Sequence, residues 1–148
     1  MVNVTVTIDD AKVKALLKKI GDGVVDLKKP LDDAGDELIK FYGDENFDKQ
    51  GSALGTSWKP LAVSTLQARA RRYGHYGKAA IETQKALIWT GKLKKGFTKV
   101  TTKTLLTIEN NVQYFKFNAK TRPMLGLGTP VTDIVLDSFN SYLKTLVK

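Results

Sequence analysis

Few side chains in this chain are suited to acid–base, nucleophilic or metal chemistry. The one histidine, His75, lies in the run Tyr73-Gly74-His75-Tyr76-Gly77-Lys78. With no cysteine and a single imidazole, a zinc site would need mostly carboxylates, which is unusual for that metal. No serine stands in the strand-to-helix setting that exposes a nucleophilic hydroxyl. His75 therefore reads as a loop residue rather than a base. Asp32, Asp33, Asp36 and Glu37 cluster, but they fall at the start of an expected helix, where the positive end of the dipole favours carboxylates without any metal. Gly126-Leu127-Gly128 precedes a helix as a phosphate loop would. It lacks the lysine, and Pro130 removes one N–H donor, so it reads as a tight turn. No catalytic set, metal site or cofactor is expected, and the chain is read as a non-enzyme.

Cations mixed with aromatics are a different signal. Arg69, Arg71, Arg72, Tyr73, Tyr76 and Lys78 resemble the mixture found where single strands stack and track a basic groove. No helix-turn-helix, zinc-finger or RNP-type pattern accompanies them. The net charge of +9 is unevenly spread: residues 1–48 hold 7 Lys/Arg against 11 Asp/Glu, and residues 49–108 hold 12 against one, Glu82. Such a basic middle can attract phosphate backbones or an acidic protein surface. It can also be a solvated lysine-rich face.

Periodicity sets the elements that must carry these residues. Val2, Val4, Val6 and Ile8 alternate with Asn3, Thr5 and Thr7, the signature of a strand. Val13, Leu16, Leu17 and Ile20 fall at helical spacing, with Gly21 and Gly23 loosening the end. A second helix is expected from Pro30 to Asp48, with Leu31, Ala34, Leu38, Phe41 and Tyr42 on one face. Gln50 to Ser57 reads as a flexible loop. Trp58-Lys59-Pro60-Leu61 then sets large apolar groups beside a proline, and a tryptophan there needs a core or a partner pocket. Ser64 can cap a helix over 65–73, and 74–85 reads as an exposed loop. Ala86 to Trp89 is a turn or a lead into a brief helix from Thr90 through Lys95. Phe97–Thr101 and Leu105–Glu109 make a β-hairpin around Thr101-Thr102-Lys103-Thr104. An aromatic-rich stretch follows from Val112 to Asn118. Thr129-Pro130 opens a terminal helix whose apolar face is Val131, Val135, Phe139, Tyr142, Leu143 and Leu146.

At 148 residues the chain is one domain. The expected class is α+β: a small, mostly antiparallel sheet packed against N-terminal helices and a C-terminal helix, with 51–85 as a protruding basic loop. Absence of cysteine fits a reducing compartment. No apolar run approaches the ~20 residues of a membrane helix, and Met1-Val2-Asn3-Val4 lacks a signal peptide's basic and apolar regions. A soluble, non-secreted protein is expected, with no membrane partner.

The motifs together resemble a known family: the phage virion morphogenesis, or tail completion, proteins of Mu-like and P2-like tailed phages. The likeness rests on Trp58-Lys59-Pro60-Leu61 with Thr65 four residues on, then Leu87-Ile88-Trp89-Thr90-Gly91-Lys92-Leu93, a hairpin, Tyr114, Arg122-Pro123-Met124-Leu125-Gly126-Leu127 and a terminal helix. It covers about Phe41 to the C-terminus. The chain departs from the family at Tyr114-Phe115-Lys116-Phe117-Asn118-Ala119, which has no histidine and a shorter connection. The resemblance implies a structural virion protein acting in tail completion and head–tail joining. It implies a homo-oligomeric ring, often hexameric, at the neck or head-proximal tail end, assembled in the host cytoplasm. Neighbours would be portal-side connector and tail tube proteins, with non-specific contact to packaged DNA a further expectation. Trp58, Arg69, Arg71, Arg72, Tyr76, Lys78 and Arg122 are the candidate contact residues. A basic nucleic-acid-binding protein is the alternative.

Overall fold

A computed structural model of the chain describes residues 15, 18–22, 25–73, 85–88 and 90–147, with Arg72 and Tyr73 described in backbone only. The expected strand over Val2–Ile8 and the loop over 74–84 lie outside the described residues. Ala15 and residues 18–22 are helical, where the spacing of apolar residues predicts a helix, and Val25 beyond Gly21 is helical too.

The central element is α1, Lys28–Lys40. Asp26 Oδ1 accepts the Lys28 N–H at 3.0 Å and starts the helix where Leu27 offers no side-chain cap. Pro30 is buried in the first turn, where its missing N–H costs no helical bond. Ala34, Leu38, Phe41 and Tyr42 are buried, as their spacing predicts. The helix continues to Asp48, but through a π turn at Phe41–Glu45 before Asn46–Asp48. Gly43 sits in that turn, and a Cβ there would come within 2.8 Å of the Lys94 carbonyl oxygen. Close approach of that backbone requires glycine.

Gln50 and Gly51 then reverse the chain with φ of +50° and +84°. A single 3-10 turn, Ser52–Leu54, follows, and Trp58 N–H donates to the Gln50 carbonyl at 2.8 Å. The expected flexible loop is thus a tight reversal closed under Trp58. Next come α2, Val63–Tyr73, and the short α3, Lys92–Lys95, entered through Gly91 at φ +70°. Strands β1, Phe97–Thr101, and β2, Leu106–Asn110, form an antiparallel pair with Phe97 opposite Asn110 and Thr101 opposite Leu106. A brief α4, Phe115–Ala119, and the long α5, Thr129–Val147, complete the described chain.

Both the hairpin and α5 lie against α1, so the class is α+β as expected, with helix predominating. The hairpin seats at Gly35, where a Cβ would come within 2.7 Å of Lys99 Cδ and 2.9 Å of Leu106 Cδ1. Phe97 is the hub of the core. Its ring lies 6.0 Å from Tyr42, 6.2 Å from Phe47 and 6.2 Å from Phe115. Phe47 in turn meets Trp58 edge-on at 5.1 Å, a favoured aromatic geometry.

Candidate interaction surface

Two of the sequence motifs interlock. The turn Arg122–Leu127 drops Met124 into the core as irregular backbone, so carbonyls beside it take donors from elsewhere. Trp58 Nε1 donates to the Pro123 carbonyl at 2.8 Å, Asn46 Nδ2 to Met124 at 3.3 Å, and the Tyr42 hydroxyl to Gly126 at 2.7 Å. Arg122 returns the contact: its Nε donates to the Lys59 carbonyl at 3.1 Å, and Nη2 lies 3.5 Å from that of Pro60. Trp58-Lys59-Pro60 and Arg122-Pro123-Met124 thereby satisfy one another's polar groups across more than sixty residues of chain. Met124 is fully buried between them. Burial pushes the Tyr42 hydroxyl above the usual phenol value, so it stays a neutral donor.

A second junction ties in the segment after 84. Gln50 Oε1 accepts the Ala86 N–H at 2.6 Å, and its Nε2 donates to the Phe47 carbonyl at 2.7 Å. Arg69 Nη1 donates to the Lys85 carbonyl at 3.0 Å. Tyr42, Asn46 and Gln50 were not among the sequence candidates. Their signal is slight: polar groups one helical turn apart on a face otherwise meant for the core.

The candidate contact residues divide. Trp58 and Arg69 are each only 6% exposed, and half-buried Arg122 points at backbone carbonyls of its own chain. These three serve the fold of this chain. Arg71 is exposed on α2. Tyr76 and Lys78, with His75, lie outside the described residues, as does the side chain of Arg72. Over its described part, the expected protruding loop 51–85 is mostly exposed, with three anchors: Gly51 and Trp58 are buried, and Arg69 bonds to the Lys85 carbonyl.

The uneven charge resolves in space. Lys99 Nζ sits 2.9 Å from Asp32 and 2.8 Å from Asp36. Burial works against its charge, but the bonds to Asp36 and Asp32 outweigh this and hold the ammonium above the usual lysine value. The hydrogen bond from Lys99, then that from Thr101, holds the Asp32 carboxyl below the usual carboxylate range. Lys94 meets Asp44 at 3.1 Å, Lys85 meets Asp48 at 3.4 Å, and Lys103 meets Asp26 at 3.9 Å. Cations of the basic middle thus face carboxylates of the acidic first third. Part of the carboxylate cluster on α1 binds a lysine. Among the described residues, no three His, Cys, Asp or Glu side chains are placed to hold a metal ion. No described helix is long and apolar enough to cross a membrane.

Among the described residues, two apolar surface features could dock another chain. One is a groove of about 520 Å³ between β2 and the start of α5, floored by α1. The other is on α5. Its inner face holds Val131, buried, with Ile134, Val135 and Tyr142 half-buried. Leu136, Leu143 and Val147, spaced i, i+7, i+11, form a separate outward stripe exposed at 54%, 40% and 58%. Leu143, expected on the inner face, belongs to this stripe.

Comparison with family models, with curated proteins and with solved structures finds no match in any of the three.

Proposed function

We propose that this chain is a structural protein of a tailed-phage virion, acting in tail completion and head–tail joining as one copy of a homo-oligomeric ring. The family resemblance of the ordered motifs supplies the class. The observation that carries the reading is the outward stripe Leu136, Leu143 and Val147. A helix that buries one face against its own core and still offers a second apolar stripe has surface for another chain. In a closed ring each subunit presents such a surface to its neighbour.

The interlocked motifs support the same reading from the inside. Their side chains hold the shape of one subunit, which suits a protein that acts by docking. A hexameric ring at the neck or head-proximal tail end, between portal-side connector and tail tube proteins, is the assembly the resemblance implies. Stand-alone nucleic-acid binding draws less support, because Arg69 and Arg122 are turned to backbone carbonyls and Lys85, Lys94, Lys99 and Lys103 face carboxylates.

The test is native mass measurement of the full chain at physiological salt, beside a Leu136→Lys/Leu143→Lys variant. A discrete oligomer that becomes monomeric in the variant, with an unchanged circular dichroism spectrum, is the expected result. A monomer in both cases that binds DNA tightly at that salt would replace this reading with the nucleic-acid one.

A further inference from the structure

Helix α5 carries its outer stripe beside an ordered row of charge. Successive side chains step round a helix by about 100°. With buried Val131 marking the direction of the core, Leu143, Leu136 and Val147 lie about 120° to 160° round from it. Thr132 and Asn140 border the stripe, so no charge interrupts it. Half-buried Val135 and Phe139 lie between stripe and core, on the side of the apolar groove. Asp133, Asp137 and Lys144 all fall on the other flank, about 200° to 240° round. Acid stands in the N-terminal half of the helix and base in the C-terminal half. Asp137 and Lys144 are exposed, and among the described residues neither forms an ion pair. Seven residues separate them, about 10 Å along the axis, too far for them to pair with each other.

We propose that this stripe docks on the same stripe of a second copy, with the two α5 helices antiparallel about a two-fold axis beside Asn140. The proposal rests on reading the stripe as a contact between copies, and it names the face that meets it. In an antiparallel pair each flank meets the same flank of its partner, and the two facing residue numbers have a constant sum. Leu136 set on the partner's Leu143 fixes that sum, and the two-fold makes the contact twice. Asp137 then stands two residues, about 3 Å along the axis, from the level of the partner's Lys144. The long lysine side chain spans that offset, and the two-fold repeats the ion pair. A parallel pair would turn the charged flank to the partner's uncharged one and leave all of these charges unmatched. This self-complementarity of charge selects a second copy, in one orientation, as the occupant. The contact is isologous, so a closed ring built on it holds an even number of subunits, as a hexamer does.

The absence of cysteine makes the test direct. Asn140→Cys gives one thiol per copy, next to the axis. For helices packed about 8–10 Å apart, the two Cα atoms at this level lie about 6 Å from each other, within the roughly 4.4–6.8 Å that a disulfide spans. Mild oxidation of the full chain is expected to give a covalent dimer on a non-reducing gel. Charge reversal gives a second measurement, by sedimentation, on variants whose circular dichroism is unchanged. Asp137→Lys and Lys144→Asp each remove both ion pairs and should weaken association about 2- to 30-fold. The double variant Asp137→Lys/Lys144→Asp should restore it. Absence of the disulfide, or a double variant no better than the single ones, would overturn the two-fold contact. If Leu136→Lys/Leu143→Lys still breaks the oligomer in that case, the stripe stands as the contact between copies. A monomeric unsubstituted chain would overturn both.

Discussion

Replacing Trp58 with Phe tests the junction between the two motifs. The Trp58 ring is buried edge-on to Phe47, and its Nε1 is the donor to the Pro123 carbonyl at 2.8 Å. Phenylalanine keeps part of the ring packing but leaves that carbonyl without its donor. Pro123 is itself exposed, so water can take the donor's place, and the net loss of the bond costs about 0.5–1.5 kcal/mol. The lost part of the indole adds a small cavity costing about 1 kcal/mol. Trp58→Phe should therefore destabilise by about 1.5–2.5 kcal/mol, a sizeable part of the roughly 5–15 kcal/mol that holds an ordinary domain. Urea unfolding followed by circular dichroism measures it. Trp89, the one tryptophan left in the variant, gives a second signal for coincidence. The sharper measurement is a cycle with Arg122→Met. The indole and the guanidinium bond to opposite sides of one junction, so their losses should couple by at least about 0.5 kcal/mol. A single-variant cost below about 0.5 kcal/mol, typical of surface substitutions, together with additivity in the cycle, would refute the interlock.

Other perturbations separate the parts. Tyr42→Phe removes only the hydroxyl bonded to Gly126; since Gly126 is exposed and water can replace the donor, the expected cost is about 0.5–1.5 kcal/mol in the same urea assay. Gly51→Ala should cost more than about 2 kcal/mol, because φ is +84° and a Cβ there would overlap the Trp58 ring and the Thr56 carbonyl; an unchanged midpoint would show that the reversal is not needed. For the Lys99 cluster, the sign follows from the two shifts. Asp32 titrates below its ordinary value in the fold, so its contribution is present above the unfolded carboxylate pKa and lost as pH falls through the native one. Lys99 titrates above its ordinary value, so its contribution is complete below the unfolded lysine pKa and lost as pH rises through the native one. The Tm difference between the unsubstituted chain and Lys99→Met should hence be flat near neutrality and shrink at both extremes. A difference independent of pH would mean that Lys99 contributes packing alone.

The regular elements were legible because each carries its own period. The helix over 30–48, the hairpin and the helix after Thr129-Pro130 need only local pattern and turn chemistry, and they occur within a few residues of their expected bounds. What lay beyond reach is non-local. Nothing near Gly43 announces that the Lys94 carbonyl must approach it, so the π turn could not be foreseen. Glycine and serine around position 51 look like a flexible loop, yet positive φ at Gln50 and Gly51 makes them a reversal beneath Trp58. Arg69, Arg71 and Arg72 read as one basic group, but Arg69 is buried at the Lys85 carbonyl while Arg71 is exposed. Leu143 shares the apolar character of its helix, and only the placement of α1 tells the inner stripe from the outer one.

The motif spacing has a physical reason that bears on how the molecule works. A turn such as Arg122–Leu127 packs Met124 into the core most readily when the carbonyls around it find donors, and Trp58, Asn46 and Tyr42 supply them. Tryptophan at 58 and arginine at 122 therefore constrain each other through the fold, and neither needs a partner molecule to explain it. A surface that recognises another copy must lie elsewhere, on groups that the fold leaves unused. Leu136, Leu143 and Val147 are such groups. Substitutions at Trp58 or Arg122 should thus lower stability while the surviving folded subunits retain their oligomeric mass. Substitutions along the outer stripe should change that mass and leave the unfolding midpoint of the isolated subunit nearly unmoved. Should both sets change both properties together, the separation of an inner junction from an outer docking face would be wrong.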